Sequence, residues 1–472
     1  MIWLRKVLQC VAILSMCLAG SLAWADFSLY WRDNNTFFAE YRAFNTLDLD
    51  KTANADGVGN NRQFSTLKLR MKPSLNITDR LSFHMAFDVF VNPFTTHAQE
   101  GGAIQGQQAA DTTTFGPSVD PNLSRASFGS VSGFGTSALT PAAGNNILVK
   151  EGFLEYIGDW GIFRLGRMPR HWGLGMRYHK GDSPADKFSD RTDSLFYEFS
   201  LANFKLAAIY SKILENTLDS GGDDVTLWEG YLHWNDPEKD LNAGLLYSFL
   251  KSSQNFVAMN TFDGYATKKF KRFRMGLEGL FTSGDPGTVS GNDANQKGLA
   301  VEAHYDLFDW FKNLSVYGRA GFASGADLDK PTTLSIFTFN RNYDIAMILF
   351  NQGVGAIPNQ TGVSASSNPD ANAITNTYYF NAGADYSFND RVGVNFNYAV
   401  AQAPLPVTRG GNKFYGHEVD LNGWYRFREN LNLGGSVGLF LPGEFYNGSP
   451  QRLPAWAIDH AYGAQMGVTL LF

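Results

Sequence analysis

The chain has 472 residues, with 39 Lys and Arg against 45 Asp and Glu, and its formal net charge of −6 offers no basic surface to a nucleic-acid backbone. Only 18% of residues are charged, while 14% are aromatic and 48 are glycine, a balance unlike that of an ordinary soluble enzyme. Both cysteines, Cys10 and Cys17, lie near the start, so the chain beyond them can hold no disulfide framework, thiol nucleophile or cysteine metal site.

Residues 1–25 read as a secretory leader. Arg5 and Lys6 give the charged start, Val7 to Leu18 the apolar run, and Ala23-Trp24-Ala25 a small-x-small cleavage site, so a mature chain is expected to begin at Asp26. A transmembrane helix is the competing reading, but the run falls short of the ~20 residues that a span needs. A lipoprotein start at Cys17 is disfavoured by Met16 in front of it. Loss of Arg5 and Lys6 takes the formal charge from −6 to −8.

From there the pattern has a period of two, the mark of strands whose side chains alternate between two faces. The first stretch lies near Phe37 to Phe44, with Phe37, Ala39, Tyr41 and Ala43 on one face and Glu40 and Arg42 on the other. In the second, Leu67, Leu69, Met71, Leu75 and Ile77 alternate with Lys68, Arg70 and Lys72. After the turn Thr78-Asp79-Arg80, Leu81, Phe83, Met85, Phe87, Val89 and Val91 alternate with His84 and Asp88. Later pairs turn at Gly158-Asp159-Trp160, Ala202-Asn203, Asn235 to Asp240, Lys268 to Lys271, Phe308 to Asn313, Asn389-Asp390 and Arg428 to Asn430. The apolar rows Phe273-Met275-Leu277-Phe281, Leu299-Val301-Tyr305 and Val392-Val394-Phe396-Tyr398-Val400 are among the clearest. The count comes to about eighteen strands (sixteen to twenty) of about ten residues, the length a tilted strand needs to cross a bilayer.

The connections alternate between short polar turns and longer loops rich in Gly, Ser, Asn, Asp and Thr. The longer ones fall near Asn45 to Arg62, Asn92 to Ile147, Met168 to Thr192, Lys212 to Asp224, Lys251 to Asn255, Thr282 to Gln296, Ala323 to Asn376, Ala401 to Phe414 and Pro442 to His460. A soluble sandwich has no reason to segregate loop length; a barrel in an outer membrane does. With no later apolar run long enough for a helix, membrane crossing requires closure, because only a closed sheet satisfies every backbone polar group in lipid. The fold class expected is all-β: one transmembrane antiparallel up-and-down β-barrel over residues 26–472, with long loops near 92–147 and 323–376.

The closing stretch ends in Phe472, with Leu470, Val468, Met466, Ala464 and Tyr462 alternating against Thr469, Gly467, Gln465 and Gly463. It resembles the last strand of bacterial outer-membrane β-barrels. The resemblance implies that Phe472 is the signal read by the barrel-insertion machinery, and that outer-membrane lipid and lipopolysaccharide surround the wall. The segment Gly166-Arg167-Met168-Pro169-Arg170-His171-Trp172-Gly173-Leu174-Gly175-Met176-Arg177 is similar to a strand end of the eighteen-stranded, porin-like barrels of the alginate-export type. That family's strongly basic pore is not evident here. The segment itself reads as a structured loop packed into the barrel mouth.

So wide a barrel leaves a lumen. Its charged wall is expected to include Lys68, Arg70, Lys72, Arg164, Lys205, Arg272, Arg274, Arg319 and Arg426, against Asp88, Glu198, Glu229, Glu278, Glu302, Asp306, Asp385, Glu418 and Asp420. Cross-strand pairing is the plain reading of these signs; a transverse field between the Lys68-Arg70-Lys72 row and Glu418 with Asp420 is the sharper one. The long segment 323–376 carries an apolar run, Ile336 to Phe350, that needs burial. It reads either as a constriction folded into the lumen, with Arg341, Tyr343 and Asp344 narrowing it, or as an extra strand pair or outer patch. Segment 92–147 reads as an outer loop or lid. Asp48, Asp50, Asn54, Asp56 and Gly57 are spaced loosely like a calcium loop, though a solvated turn is the simpler reading, and no metal or cofactor is assigned.

No Ser-His constellation stands in a nucleophile motif, so no catalytic residue is expected. A plugged transporter or fatty-acid channel would need an N-terminal plug or hatch, for which Asp26 to Thr36 is too short. The function expected is passive passage of small hydrophilic solutes through a narrowed lumen. The rivals are a non-conducting surface barrel or adhesin and, behind it, a barrel hydrolase.

Overall fold

The computed structural model describes residues 28–31, 35–45, 61–89, 147–186, 189–214, 225–252, 257–287, 293–307, 313–325, 327, 329–330, 332–351, 373–406, 411–446 and 460–472. The leader, the calcium-like stretch near Asp48 to Gly57 and most of segment 92–147 lie outside them. Among the described residues, eighteen antiparallel strands close on themselves: β1 (Thr36–Asn45), β2 (Asn61–Met71, continued by Pro73–Asn76), β3 (Leu81–Val89), β4 (Ile147–Gly158), β5 (Gly161–Pro169), β6 (Arg191–Leu201), β7 (Phe204–Leu214), β8 (Val225–Asp236) and β9 (Leu241–Ser252). They are followed by β10 (Val257–Phe270), β11 (Phe273–Asp285), β12 (Asp293–Asp306), β13 (Leu314–Ala323), β14 (Thr377–Ser387), β15 (Val392–Gln402), β16 (Phe414–Arg428), β17 (Leu431–Pro442) and β18 (Ala461–Leu471).

Each strand pairs with its chain neighbours, and β1 joins the ends by pairing with β2 on one side and β18 on the other. Phe472 seals the seam: its N–H donates to Asn35 O at 3.0 Å and its carbonyl accepts Asn35 N at 2.9 Å. Closure leaves none of these eighteen strands with an unpaired edge, which is the condition for a sheet to sit in hydrocarbon, and a further short strand, Ser28–Trp31, pairs with Pro73–Asn76. The two rows of each strand separate as their composition demands. Leu165, Leu245 and Met466 stand 59%, 65% and 70% exposed on the outside, while Glu278, Glu418 and Ser248 on the inside are at most 1% exposed. The apolar rows thus face outward, not onto one another as a dry interior.

The short turns explain themselves locally. Ala202, Asp240, Lys271 and Asn313 adopt φ of 51°, 48°, 53° and 71°, the left-handed bend a tight reversal needs. At the β14–β15 turn the Asn389 side chain accepts the N–H groups of Arg391 and Val392 at 2.8 and 2.9 Å. Two irregularities interrupt the alternation. β2 is interrupted at Lys72, where Pro73 has no N–H to give the ladder. The β3–β4 register slips between Ala86 and Phe87, so that Lys150 and Glu151 are both buried.

Candidate functional site

Two segments fold from the long-loop end into the lumen and engage part of the charged wall: Lys68, Arg70, Lys72, Glu229, Glu278, Glu302, Arg319, Glu418 and Asp420. The first strap, residues 170–186 with 189 and 190, follows β5. Gly173 (φ 55°) and Gly175 (φ 85°) turn it against the wall, and a Cβ on Gly173 would stand 2.5 Å from a Glu278 oxygen. Glu278 accepts two strap N–H groups there, Leu174 at 2.5 Å and Met176 at 3.3 Å. Trp172 lies between Tyr231 and Tyr265, with ring centroids at 5.5 and 5.0 Å. The Arg170 guanidinium pairs with buried Glu229 and stacks 3.8 Å from the Tyr178 ring, which Arg177 also approaches at 4.6 Å. On the far side, Lys68 donates to Asp186 O at 2.9 Å, Arg70 to Gly181 O at 2.5 Å, and Lys72 pairs with Asp182 at 3.0 Å.

The second strap, residues 332–351, crosses from β13 towards β17. Phe337, Phe339, Tyr343, Ile345, Ile348, Leu349 and Phe350 form an apolar cluster with wall residues Tyr379, Tyr415 and Phe440. This is the largest buried apolar cluster among the described residues, and it lies inside the barrel. Each such side chain withdrawn from water stabilises the insertion by roughly 2 kcal/mol. Glu418 accepts the N–H groups of Ile348 and Leu349 at 2.6 and 2.5 Å, and Asp420 that of Met347 at 3.2 Å. Asn381 and Asn397 both donate to Ile345 O, at 3.0 and 2.9 Å. Met347 Cε and Asp420 Oδ1 lie against Gly438, 2.7 and 2.5 Å from where a Cβ would stand.

The straps meet in mid-lumen. Asn340 N donates to Met176 O at 2.7 Å, the Asn340 amide to the Asp190 carboxylate at 2.5 Å, and Asn342 Nδ2 lies 3.2 Å from His179 Nδ1. Below the first strap lies a cavity of about 390 Å3, whose lining includes Phe153, Arg164, Arg170, His171, Phe196 and Tyr231. His171, at its rim, has its pKa held down at about 4 by desolvation and by the His179 ring and Lys180 beside it. Burial alone would raise Asp182, but its ion pairs with Lys180 and Lys72 win and hold it at about 2. Burial raises Tyr343, whose hydroxyl donates to Glu302 at 2.7 Å.

The expected constriction residues therefore divide. Asp344 is exposed in the lumen, its carbonyl accepting Arg319 at 2.9 Å and its carboxylate accepting Asn351 at 3.0 Å. Tyr343 and Arg341 are buried, at 6% and 9% exposure, inside the strap they were expected to tip. Among the described residues the segment makes a two-residue parallel pairing, Thr333–Leu334 against Asp293 and Ala294, and an isolated antiparallel bridge from Thr338 to Thr375, in place of an extra strand pair. The Lys68-Arg70-Lys72 row and the Glu418-Asp420 pair do not face each other across open lumen. Arg70 is bidentate to Asp88 at 2.7 and 2.8 Å, and both rows are committed to holding straps. Arg164 pairs with Glu155 at 2.6 Å, Asp385 accepts Asn395 at 2.8 Å, and Arg274 stands 3.0 Å from His304. Arg426 lies 5.9 Å from the Trp424 ring, and Arg272 falls in the β10–β11 turn rather than on the wall. The residues sequence reasoning missed are Asn340 and Asp190, which join the straps. Asn340 carried a faint signal as a polar interruption of an apolar run.

No family model matches the chain, and no curated protein matches it. Solved structures do. OccK8 (OprE) of Pseudomonas aeruginosa superposes with a TM-score of 0.53 at 10% identity, covering 95% of this chain and 98% of that one. A BenF-like porin from Pseudomonas fluorescens Pf-5 gives 0.53 at 9% identity, over 95% and 98%. Pseudomonas aeruginosa OpdK, solved with vanillate, gives 0.50 at 10%, over 94% and 99%. The closed eighteen-stranded barrel of this chain is the fold of those outer-membrane porins.

Proposed function

We propose that the protein is an outer-membrane channel through which small hydrophilic solutes diffuse, and that it performs no chemical step. The observation that carries this is the closed barrel with an apolar outer face, the fold of outer-membrane porins, which keeps a cavity below its first strap. A wall alone would conduct without discrimination; in this reading straps seated by Glu278 and Glu418 narrow the passage. The cavity below supplies a resting place in which a solute meets the guanidinium of Arg164 and the faces of Phe196 and Tyr231. Such a lining suits solutes that carry both a polar group and a flat apolar one. Phe472, exposed at the end of β18, is the insertion signal in this reading, and lipopolysaccharide and phospholipid are the surrounding partners.

Purified protein in a planar bilayer is expected to give discrete conductance steps, with reversal potentials in a salt gradient reporting ion preference. The same two straps are what a non-conducting surface barrel would use to fill its lumen. Silence at high protein load would establish that second reading.

A further inference from the structure

We infer that the cavity below the first strap selects uncharged, hydroxyl-bearing aromatic solutes, phenols above all, because its polar end is a guanidinium and a carboxylate side by side; this deepens the channel reading above and rests on it. The barrel register builds that end. Glu155, Arg164, Phe196 and Ile209 are cross-strand partners in succession on β4 to β7, and all four line the cavity. Neighbouring strands lie about 4.8 Å apart, so one step along this row, from guanidinium to apolar floor, matches the size of an aromatic ring. The strap covers the row with Trp172 and Tyr178, and Tyr231 stands beside Phe196 with ring centroids 6.4 Å apart.

Arg164 and Glu155 are each only partly used. Arg164 donates from Nε to Glu155 Oε2 at 2.6 Å and leans on the Phe196 ring at 5.0 Å, while its two terminal nitrogens have no acceptor among the described residues. Among those residues Glu155 Oε1 meets only the His84 ring, at 3.5 Å. A hydroxyl on an aromatic ring can accept from the first and donate to the second. A carboxylate only accepts, and brings its charge against Glu155; an ammonium only donates, and brings its charge against Arg164.

The other charges around the cavity are opposed as well. Arg170 pairs with Glu229, whose second oxygen accepts from Tyr178 at 3.2 Å, and Glu198, which accepts from the Tyr231 hydroxyl, is met by Lys205 at 3.4 Å. His84 sits between Ser74 and Ser82 at 2.8 and 2.9 Å, and His171, with its pKa held at about 4, is neutral at pH 7. A charged solute would shed its hydration with no surplus of opposite sign to receive it, a cost that a phenol escapes. The volume of about 390 Å3 lies at the small end for ligand sites and suits one substituted ring.

The test titrates purified full-length protein in detergent with 4-methylphenol, benzoate and benzylamine at pH 7, read by isothermal calorimetry. 4-Methylphenol is expected to bind about tenfold more tightly than either ion, and Arg164→Met to weaken it about tenfold, the loss of a hydrogen bond to a charged group. Glu155→Gln leaves the guanidinium unopposed and should turn the preference towards benzoate, a reversal that a merely structural role would not produce. Ile209→Trp, which fills the floor, should abolish binding of all three. Benzoate binding to wild type as tightly as 4-methylphenol, an unchanged preference in Glu155→Gln, or equal uptake of 4-methylphenol by Ile209→Trp, the sign of partition into micelles, would each overturn the site. Should a variant fail to fold, the wild-type ranking decides alone. Planar-bilayer recordings on the same preparation separate the two readings: binding with a silent bilayer keeps the site and removes the channel, and conductance without the ranking removes the site alone.

Discussion

Glu278 on β11 and Glu418 on β16 perform the same task, each accepting two backbone N–H groups from a strap. A hydrogen bond contributes about 0.5–1.5 kcal/mol, and a buried N–H left without its acceptor costs about 1–3 kcal/mol. Glu418→Ala is therefore expected to weaken seating of the second strap by about 3–5 kcal/mol. The barrel, whose pairings do not involve that side chain, should keep its resistance to heat in detergent. Protease nicking within 333–351, together with a rise in single-channel conductance, would register the change; an unaltered conductance would show that the carboxylate does not seat the strap. His171 adds a pH dependence. Its pKa of about 4 in the folded protein lies below the ordinary 6.5, so between those values the unfolded chain takes up a proton that the folded one refuses. Its contribution to stability is thus whole above 6.5 and declines as pH falls through that window. Protonation near pH 4 also places a cation at the rim of the cavity. Reversal potentials should then move towards anion preference between pH 7 and pH 4, and move less in His171→Gln. Asp182 keeps the first strap attached throughout, because its contribution is lost only as pH falls through about 2.

At the scale of elements, alternation and loop length were enough to place the turns and the long connections, because a wall between lipid and water forces opposite chemistry on alternate residues. Glu418 and Leu421 could be assigned to opposite faces from their neighbours alone, and the structure leaves the first buried and the second 51% exposed. The apolar run Ile336 to Phe350 was likewise legible as a segment needing burial. What it packs on was not, since Tyr379, Tyr415 and Phe440 are brought together only by closure and look, strand by strand, like ordinary wall residues. The joining pair Asn340 and Asp190, 150 positions apart, follows no local rule at all. Charged rows misled for a related reason. Lys68, Arg70 and Lys72 suggest a field across open water, but a strap supplies Asp182 and two carbonyls that the periodicity of β2 cannot announce. Replacing residues 333–351 by a short Gly-Ser linker should leave the strand pairing intact and raise conductance several-fold, a change read in the same planar bilayer.

At the scale of the whole molecule, the question is how two straps share one lumen. Were they stacked at different heights they would act as resistances in series, and removing either would gain little while the other still limited flow. The direct bond from Asn340 to Met176, with Asn342 beside His179, puts them at one level. Each strap then closes its own sector of a single cross-section: the first is anchored from β2 round to β11 by Lys68 and Glu278, the second from β12 to β16 by Glu302 and Glu418. Sectors side by side add as conductances. Replacing 173–186 alone and 333–351 alone should each raise the single-channel conductance, and replacing both should give an increase close to the sum of the two. A double replacement that far exceeds that sum, with each single one nearly silent, would place the straps in series and refute the shared constriction.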